Sequence, residues 1–350
     1  MNNSVSEKIK IGALENFTTE LITLSKNKKI FILCDKNTQQ CADYLKSKMP
    51  FFSSAYTLPI NSGENSKNLK TANKIWSFLS FNNANRNDLL LNIGGGLISD
   101  IGGFVASTYK RGIPYINIST SLLGMIDASI GGKTGINFNN IKNQIGVFSS
   151  PELVICDPYF LNSLPKEEFI SGFAEALKHG LVFNKKYWNY CSSSKIEELD
   201  ISKIITDSIT IKNKIVKLDP QEKNERKLLN FGHTFGHAIE SLLLKKKKPT
   251  LHGFAVAFGI VVESYISYEL TLLKERDYIE IKHTIEQIFP KLTFYNADIL
   301  ELLEFMKNDK KNDSNEINFT LIKEIGVGMV NNNIKESQVK LLLEKYIQSC

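Results

Sequence analysis

Five histidines occur in the 350 residues, and three of them, His233, His237 and His252, fall between Asp219 and Gly253; the others are His179 and His283. Imidazole is a usual ligand of divalent transition metals, and three protein ligands with one coordination position open mark a catalytic ion rather than a structural one. His233 and His237 stand four apart in FGHTFGHAIE, so they share one helix face. Gly232 and Gly236 beside them leave room for a ligand or a second backbone. An isolated pair of this kind serves equally well as core histidines bound to carbonyls, and His252, followed by Gly253, tilts the balance towards a metal. A hard anionic donor is available in GFAEALKHG, where Glu175, Lys178 and His179 lie on one helical face. One carboxylate and two imidazoles leave a dication with a net charge near +1, which keeps it a Lewis acid towards an alcohol or carbonyl oxygen. Taken alone, that segment reads rather as an exposed helical ion pair.

A second chemical feature is Gly94, Gly95 and Gly96, which follow the apolar run DLLLNI and precede the helix-like ISDIGGFVASTYKRG. Glycines let a backbone approach a pyrophosphate closely, and the free amides of a helix start favour the anion. A tight turn needing small residues is the competing account, since the G-x-G-x-x-G fingerprint is absent. Asp100 stands six residues after Gly94, in reach of a ribose or a nicotinamide amide. Farther on, DASIGGKTGIN imitates a Walker A loop, but Asp127 occupies the first glycine position and a carboxylate there repels phosphate, which disfavours an NTPase. Lys133 is better read as a cation for a phosphate or substrate oxygen, or as a surface lysine on a turn.

The elements that must position these groups divide in two. In the first half, short continuous apolar runs, KIFILCD, DLLLNIGGG, PYINIS and LVICD, alternate with helix-like segments such as Thr38 to Lys48. That is the rhythm of a parallel sheet covered on both faces, an α/β domain of the Rossmann type. After Leu164 the spacing turns to a period of about 3.6 residues, as in EEFISGFAEALKHGLV and FAVAFGIVVESYISYELTLL. The expected boundary is near residue 165, giving domains 1–165 and 166–350, the second all-α and metal-binding. No run of about 18 apolar residues exists and the first residues carry no apolar signal segment, so a cytoplasmic protein without membrane contact is expected. Cys34, Cys41, Cys156, Cys191 and Cys350 are odd in number and contain no C-x-x-C, against both a disulfide framework and a thiolate metal knot. The run Lys245 to Lys248 precedes Pro249 without interleaved aromatics, so it reads as a solvated loop and not a nucleic-acid site. A net charge of +6 suits an anionic small substrate.

Together the motifs GENSK (63–67), GGGLISDIGGFVASTYKRG (94–112), TSLLGMIDASIGGKTGIN (120–137), KNQIGVF (142–148), GFAEALKHG (172–180), RKLLNFGHTFGHAIE (226–240) and LHG (251–253) resemble the 3-dehydroquinate synthase family of sugar phosphate cyclases. The resemblance spans nearly the whole chain. It implies a phosphorus–oxygen lyase of the shikimate pathway, in the biosynthesis of chorismate and the aromatic amino acids. The substrate would be 3-deoxy-D-arabino-heptulosonate 7-phosphate, the products 3-dehydroquinate and phosphate. The route would be transient oxidation by NAD, phosphate elimination, reduction and intramolecular aldol closure. The metal, zinc or cobalt, would be held by Glu175, His233 and His252. NAD would be held by Asp35 and Asn37, by Ser62, Gly63, Glu64, Asn65, Ser66 and Lys67, and by Gly94, Gly95, Gly96, Leu97, Ile98, Ser99 and Asp100. Thr120, Ser121, Lys133 and Lys142 would complete its site, with Phe160, Leu161, Asn162 and Ser163 closing over it. Substrate contacts would be Arg111, Asp127, Lys133, Lys142, Asn143, Lys178, Lys212, Arg226, Asn230, His237 and the pair Lys310 and Lys311. Among these, His237 and Lys178 would manage proton and phosphate movement, while Asn230 and Asp127 orient hydroxyls. A homodimer is also implied.

Three positions depart from the commonest pattern of the family: Ser119 before the Thr-Ser pair, Ser163, and Phe254, where an acidic residue often follows His-Gly. Phe254 bears on the surroundings of His252 and hence on metal preference. Rival readings are a cyclase acting on glucose 6-phosphate or on a heptulose phosphate without the carboxylate, a metal-dependent polyol dehydrogenase, and a binding protein that kept an ancestral pocket. The set Lys142, Lys212, Arg226 and Asn230 favours a substrate carrying both phosphate and carboxylate.

Overall fold

The computed structural model describes residues 9–139, 141–308 and 315–349. They form two compact units, one within Met1–Pro165 together with Ile201–Asn213, the other within Lys166–Asp200 together with Lys214–Cys350. The stretch Ile201–Asn213, expected within the domain 166–350, groups with the first unit. Periodicity shows that a helix has an apolar face but not which core that face serves, and here Lys212 donates to the Asp127 carboxylate at 2.6 Å.

The first unit is built on a six-stranded, wholly parallel sheet of β1 (Ile9–Ile11), β2 (Ile30–Asp35), β3 (Tyr56–Ile60), β4 (Leu89–Gly94), β5 (Tyr115–Ser119) and β8 (Leu153–Cys156), in the order β1-β8-β5-β4-β2-β3. Helices α1 (Thr18–Ser25), α2 (Gln39–Lys48), α3 (Leu69–Phe81) and α4 (Gly96–Thr108) connect and cover the strands. A hairpin of β6 (Lys133–Phe138) and β7 (Ile141–Phe148) lies outside this sheet. Strands β4, β5 and β8 are buried along their whole length, as continuous apolar runs require when both faces are covered. β3, at the edge of the sheet beside β2, carries Pro59, a residue that sheets admit at their edges. From β2 the chain winds outward to β3, and from β4 the opposite way to β5, which makes the gap between the carboxyl ends of β2 and β4 the switch point where doubly wound sheets bind ligands. Asp35 ends β2 there and Gly94 ends β4, tied together by the Thr38 hydroxyl, which donates to the Ile93 carbonyl at 3.1 Å.

The second unit contains α5 (Lys166–Phe183), α6 (Lys185–Ser192), the end of α7 (Ile201–Leu218), α8 (His233–Lys245), α9 (His252–Glu269), α10 (Glu275–Ile288), α11 (Ile299–Asn308) and α12 (Glu336–Gln348). α9 is apolar nearly all round and buried along most of its length, as a central helix must be. The expected all-α architecture needs one correction, an antiparallel ribbon of β9 (Glu316–Glu324) and β10 (Val327–Lys335). β10 reads VGMVNNNIK, whose three asparagines have low strand propensity, and its register shifts between Met329 and Asn332 around Asn331 at φ 60°. A bulged, half-exposed strand leaves no regular alternation for a sequence reading to find.

Candidate active site

In the first unit the glycine turn follows β4, and α4 begins at Gly96. Its N-cap is Gly95, which has no side chain to accept an amide; the Ile98 N–H turns back to the Gly95 carbonyl at 3.1 Å, and the Gly96 and Leu97 amides at the helix start face an external acceptor. A Cβ on Gly95 would stand 2.8 Å from the Ser121 hydroxyl, which itself accepts the Gly124 amide at 3.1 Å, so any larger residue here must displace Ser121. Asp35 turns its Oδ1 towards the amides of Asn37 and Thr38, at 2.8 and 3.0 Å, and takes the Ser62 hydroxyl at 3.2 Å. Ser62 opens the segment through Lys67, which turns at Gly63 with φ 90°. The segment ends on the buried Lys67 ammonium, which meets both the Asp100 carboxylate and the Asn143 side chain. Partial burial raises the Asp100 pKa, with Lys67 pulling the other way.

The chain from Glu64 to Asn143 closes through Asn137. Its amide donates to Glu64 at 2.7 Å, and its side-chain oxygen accepts the Asn143 N–H at 2.9 Å. Asp127 lies in the turn after β5, where the Lys212 ammonium bonds both its carboxylate and its carbonyl. Lys133 opens β6 instead of a helix, so the glycine-lysine segment has none of the strand-to-helix context of a nucleotidase loop. Lys142 lies on β7, and Phe160 to Ser163 form most of a short turn with Phe160 buried against Tyr44. Arg111 stands apart from the Lys67 cluster. Held at φ 68°, it lines a cavity of about 720 Å³ with Lys28, Tyr115 and Phe148.

In the second unit α5 carries Glu175 and Lys178 one turn apart, as an ion pair with side chains 0% and 1% exposed. The exposed helical pair that the segment suggests when read alone is therefore not what forms. Neither Glu175 oxygen has a hydrogen-bond partner. Both imidazoles come to the same oxygen: His233 Nε2 stands 3.4 Å and His252 Nε2 3.8 Å from Glu175 Oε1. His233 directs Nδ1 to the Phe231 carbonyl at 3.1 Å, and His252 directs Nδ1 to Glu240 at 3.4 Å. With Nδ1 so directed, each ring turns its Nε2 towards Glu175, the orientation in which outer partners hold imidazole ligands. Burial first, then the Lys178 ammonium and the neighbouring His237 and His252, pushes His233 well below its ordinary 6.5, which favours the neutral imidazole. His237, a turn on from His233 with ring centroids 5.1 Å apart, offers a ligand atom within 4.8 Å of those of His233 and His252.

Glycines let α8 lie against α9: a Cβ on Gly232 would meet the Val256 carbonyl at 2.9 Å, and one on Gly236 the Ala255 carbonyl at 3.0 Å. The room expected beside the two histidines is thus taken by a backbone. Arg226 is buried and donates to the Pro220 carbonyl at 2.8 Å, while Asn230 donates to Glu222 at 3.0 Å. Asp219 organises this loop by accepting the amides of Lys223, Asn224 and Arg226. Burial raises its pKa, but those bonds and Arg226 together hold it below the usual range. Phe254 turns to Phe289, ring centroids 6.2 Å apart, so the outer partner of His252 is Glu240 and not the residue after His-Gly. Lys310 and Lys311 lie outside the described residues. Neither Glu240 nor Glu263 is a candidate site residue by sequence; the signal for Glu263 is a charge in the middle of the mainly apolar α9.

Buried thiols take no part. Burial pushes Cys34 and Cys156 up to about 12 and Cys41 up to about 11.

The chain matches two family models, 3-dehydroquinate synthase N-terminal over residues 57–171 and 3-dehydroquinate synthase C-terminal over residues 172–312. The chain belongs to the 3-dehydroquinate synthase family. It is 40% identical to the 3-dehydroquinate synthase of Parabacteroides distasonis over 96% of this chain and 95% of that relative. An enzyme activity of that type, in the shikimate pathway, is its function. The fold is shared with the 2-epi-5-epi-valiolone synthase of Streptomyces hygroscopicus subsp. jinggangensis, solved with NAD⁺ and Zn²⁺, at a TM-score of 0.88 and 23% identity, covering 100% of this chain and 99% of that one. It is also shared with a 2-deoxy-scyllo-inosose synthase complexed with carbaglucose-6-phosphate, NAD⁺ and Co²⁺, at a TM-score of 0.83 and 21% identity over 96% of each chain.

Proposed function

We propose that the chain converts 3-deoxy-D-arabino-heptulosonate 7-phosphate into 3-dehydroquinate and phosphate, using NAD and one divalent ion, zinc or cobalt. The observation that carries the metal reading is Glu175: a fully buried carboxylate without a hydrogen bond, with two imidazole Nε2 atoms turned to the same oxygen. The Lys178 ammonium meets Oε2, which leaves Oε1 and the two imidazole Nε2 atoms to converge on a second cation, and one carboxylate with two imidazoles suits zinc and cobalt alike. We assign Glu175, His233 and His252 as the ligands.

The α/β unit would hold NAD, with Asp35 towards the ribose hydroxyls and the α4 amides towards the pyrophosphate. When bound, NAD supplies reversible hydride abstraction and the ion supplies Lewis acidity towards a substrate hydroxyl. Lys67 fixes the Asp100 carboxylate, and Asp127 is held in place by Lys212 to orient a hydroxyl. Lys178 brings a desolvated ammonium to neutralise the developing phosphate or alkoxide charge, and His237 takes or returns a proton at a ring nitrogen. Lys142, Asn143, Lys212, Arg226 and Asn230 would supply cations and amides for phosphate and carboxylate oxygens.

A cytoplasmic location agrees with four buried free thiols, and among the described residues no helix is long and apolar enough to cross a membrane. A homodimer is supported by β7, which among the described residues pairs with β6 alone and exposes Ile141, Ile145, Val147 and Phe148 along an open edge.

The test is incubation with the heptulosonate phosphate, NAD and zinc. Phosphate release without net NADH supports the reading, and steady NADH accumulation overturns it in favour of a dehydrogenase. His233→Ala abolishes metal retention and turnover together; a fully active variant without metal refutes the ligand assignment.

A further inference from the structure

A second buried carboxylate lies in α9, apart from the three proposed metal ligands. Glu263 is 0% exposed, in a helix that is otherwise apolar around it. Each of its oxygens takes one backbone amide from the start of α8: Oε2 accepts the Gly232 N–H at 2.7 Å, and Oε1 accepts the Phe235 N–H at 2.9 Å. Those two residues bracket His233.

The sequence leaves α8 in need of such a bond. Its N-cap is Gly232, in the left-handed region at φ 77°, with no side chain to accept the first-turn amides. A serine or aspartate cap cannot replace it, because a Cβ there would meet Ile260 at 2.6 Å and the Val256 carbonyl at 2.9 Å. The acceptor must therefore come from the facing helix. A carboxylate is the strong choice, since both oxygens accept amides and its charge sits at the positive end of the helix dipole.

We propose that Glu263 is a positioning residue for the metal centre, acting through the start of α8 to fix the direction of His233. The same helix carries His252 at its first position, so Glu263 couples the two histidine-bearing segments. Glu263 sets where α8 begins, the Phe231 carbonyl then sets the His233 ring, and Nε2 meets Glu175. This inference rests on the assignment of Glu175, His233 and His252 as ligands.

The experiment measures zinc affinity by competition with a chromophoric chelator, on purified Glu263→Gln and on Ser264→Ala. Ser264 is the next residue on α9, equally buried, with a hydroxyl that has no hydrogen-bond partner, and so reports ordinary damage to the α9 core. Glutamine keeps the shape but sets an NH₂ against one of the two amides. Zinc affinity should fall by about tenfold to a hundredfold in Glu263→Gln, the range for outer partners of metal ligands. Ser264→Ala should bind zinc as the unmodified protein does. Circular dichroism confirms that each variant is folded. A folded Glu263→Gln with unchanged zinc affinity overturns the proposal, as does an equal loss in Ser264→Ala. If Glu263→Gln does not fold, amide exchange in the unmodified protein decides: zinc should slow exchange at Gly232 and Phe235, and no change there overturns it. An unmodified protein that takes up no zinc refutes the ligand assignment itself, an outcome distinct from a variant that binds as well as its parent.

Discussion

Replacing Lys178 by methionine tests the electrostatics of the metal pocket before any metal is added. The Glu175–Lys178 pair is wholly buried, and the carboxylate has no hydrogen bond to fall back on. Removing one member of such a pair leaves a bare charge in a medium of low polarity, at a cost of about 3–5 kcal/mol. For a unit of this size each kcal/mol moves the melting temperature by about 2–4 °C, so metal-free Lys178→Met should melt about 6–20 °C below the unmodified protein. Zinc then supplies the missing cation. The zinc-induced rise in melting temperature should therefore be larger in Lys178→Met than in the parent, where the incoming ion must sit beside an ammonium. The double variant Glu175→Gln with Lys178→Met removes both charges and should recover most of the loss. Scanning calorimetry with chelator and with zinc reads all of these values. If metal-free Lys178→Met melts within about 2 °C of the parent, a change worth only about 1 kcal/mol, the pair does not carry the charge balance argued here. If the double variant merely adds the two single losses, the same conclusion holds.

Two further outcomes follow from particular groups. The folded-state pKa of His233 lies well below its ordinary 6.5, so the unfolded chain takes up this proton first as pH falls. That contribution to stability is complete above pH 6.5 and is lost from there downward to the folded-state value, so denaturant midpoints of metal-free protein should decline as pH falls from 7 to 5, and less so in His233→Ala. Gly95→Ala places a methyl group 2.8 Å from the Ser121 hydroxyl and displaces it from the Gly124 amide. Shifting Ser121 and the glycine turn by enough to lose about one hydrogen bond to the cofactor should weaken NAD about tenfold in a fluorescence titration while zinc affinity stays unchanged.

Much of this was legible in the chain. Strands buried on both faces must be apolar throughout, so IFILCD, LLLNIG, YINIS and LVIC declare the parallel sheet, and the glycines after β4 mark the helix start facing its switch point. Histidine is scarce enough here for its clustering to carry weight. Strands β1 and β3 were not legible: one is three residues long with a lysine in its middle, the other an edge strand broken by Pro59. Nor did spacing reveal which core Ile201–Asn213 serves, or that the asparagines of β10 belong to a bulged ribbon. At the site, helical periodicity places Glu175 and Lys178 on one face but cannot tell a solvated pair from a buried one, because that depends on what packs against the face. Glu240 and Glu263 act on groups 12 and 28 to 31 residues away in sequence, through contacts that only the packing of α8 on α9 creates.

The most direct test of the metal centre is an anomalous-scattering map of crystals grown with zinc, recorded on both sides of the zinc edge. One peak per chain is expected, bonded to a Glu175 oxygen and to Nε2 of His233 and of His252. A peak held by His237 in place of Glu175, or one lying away from all three residues, contradicts the account.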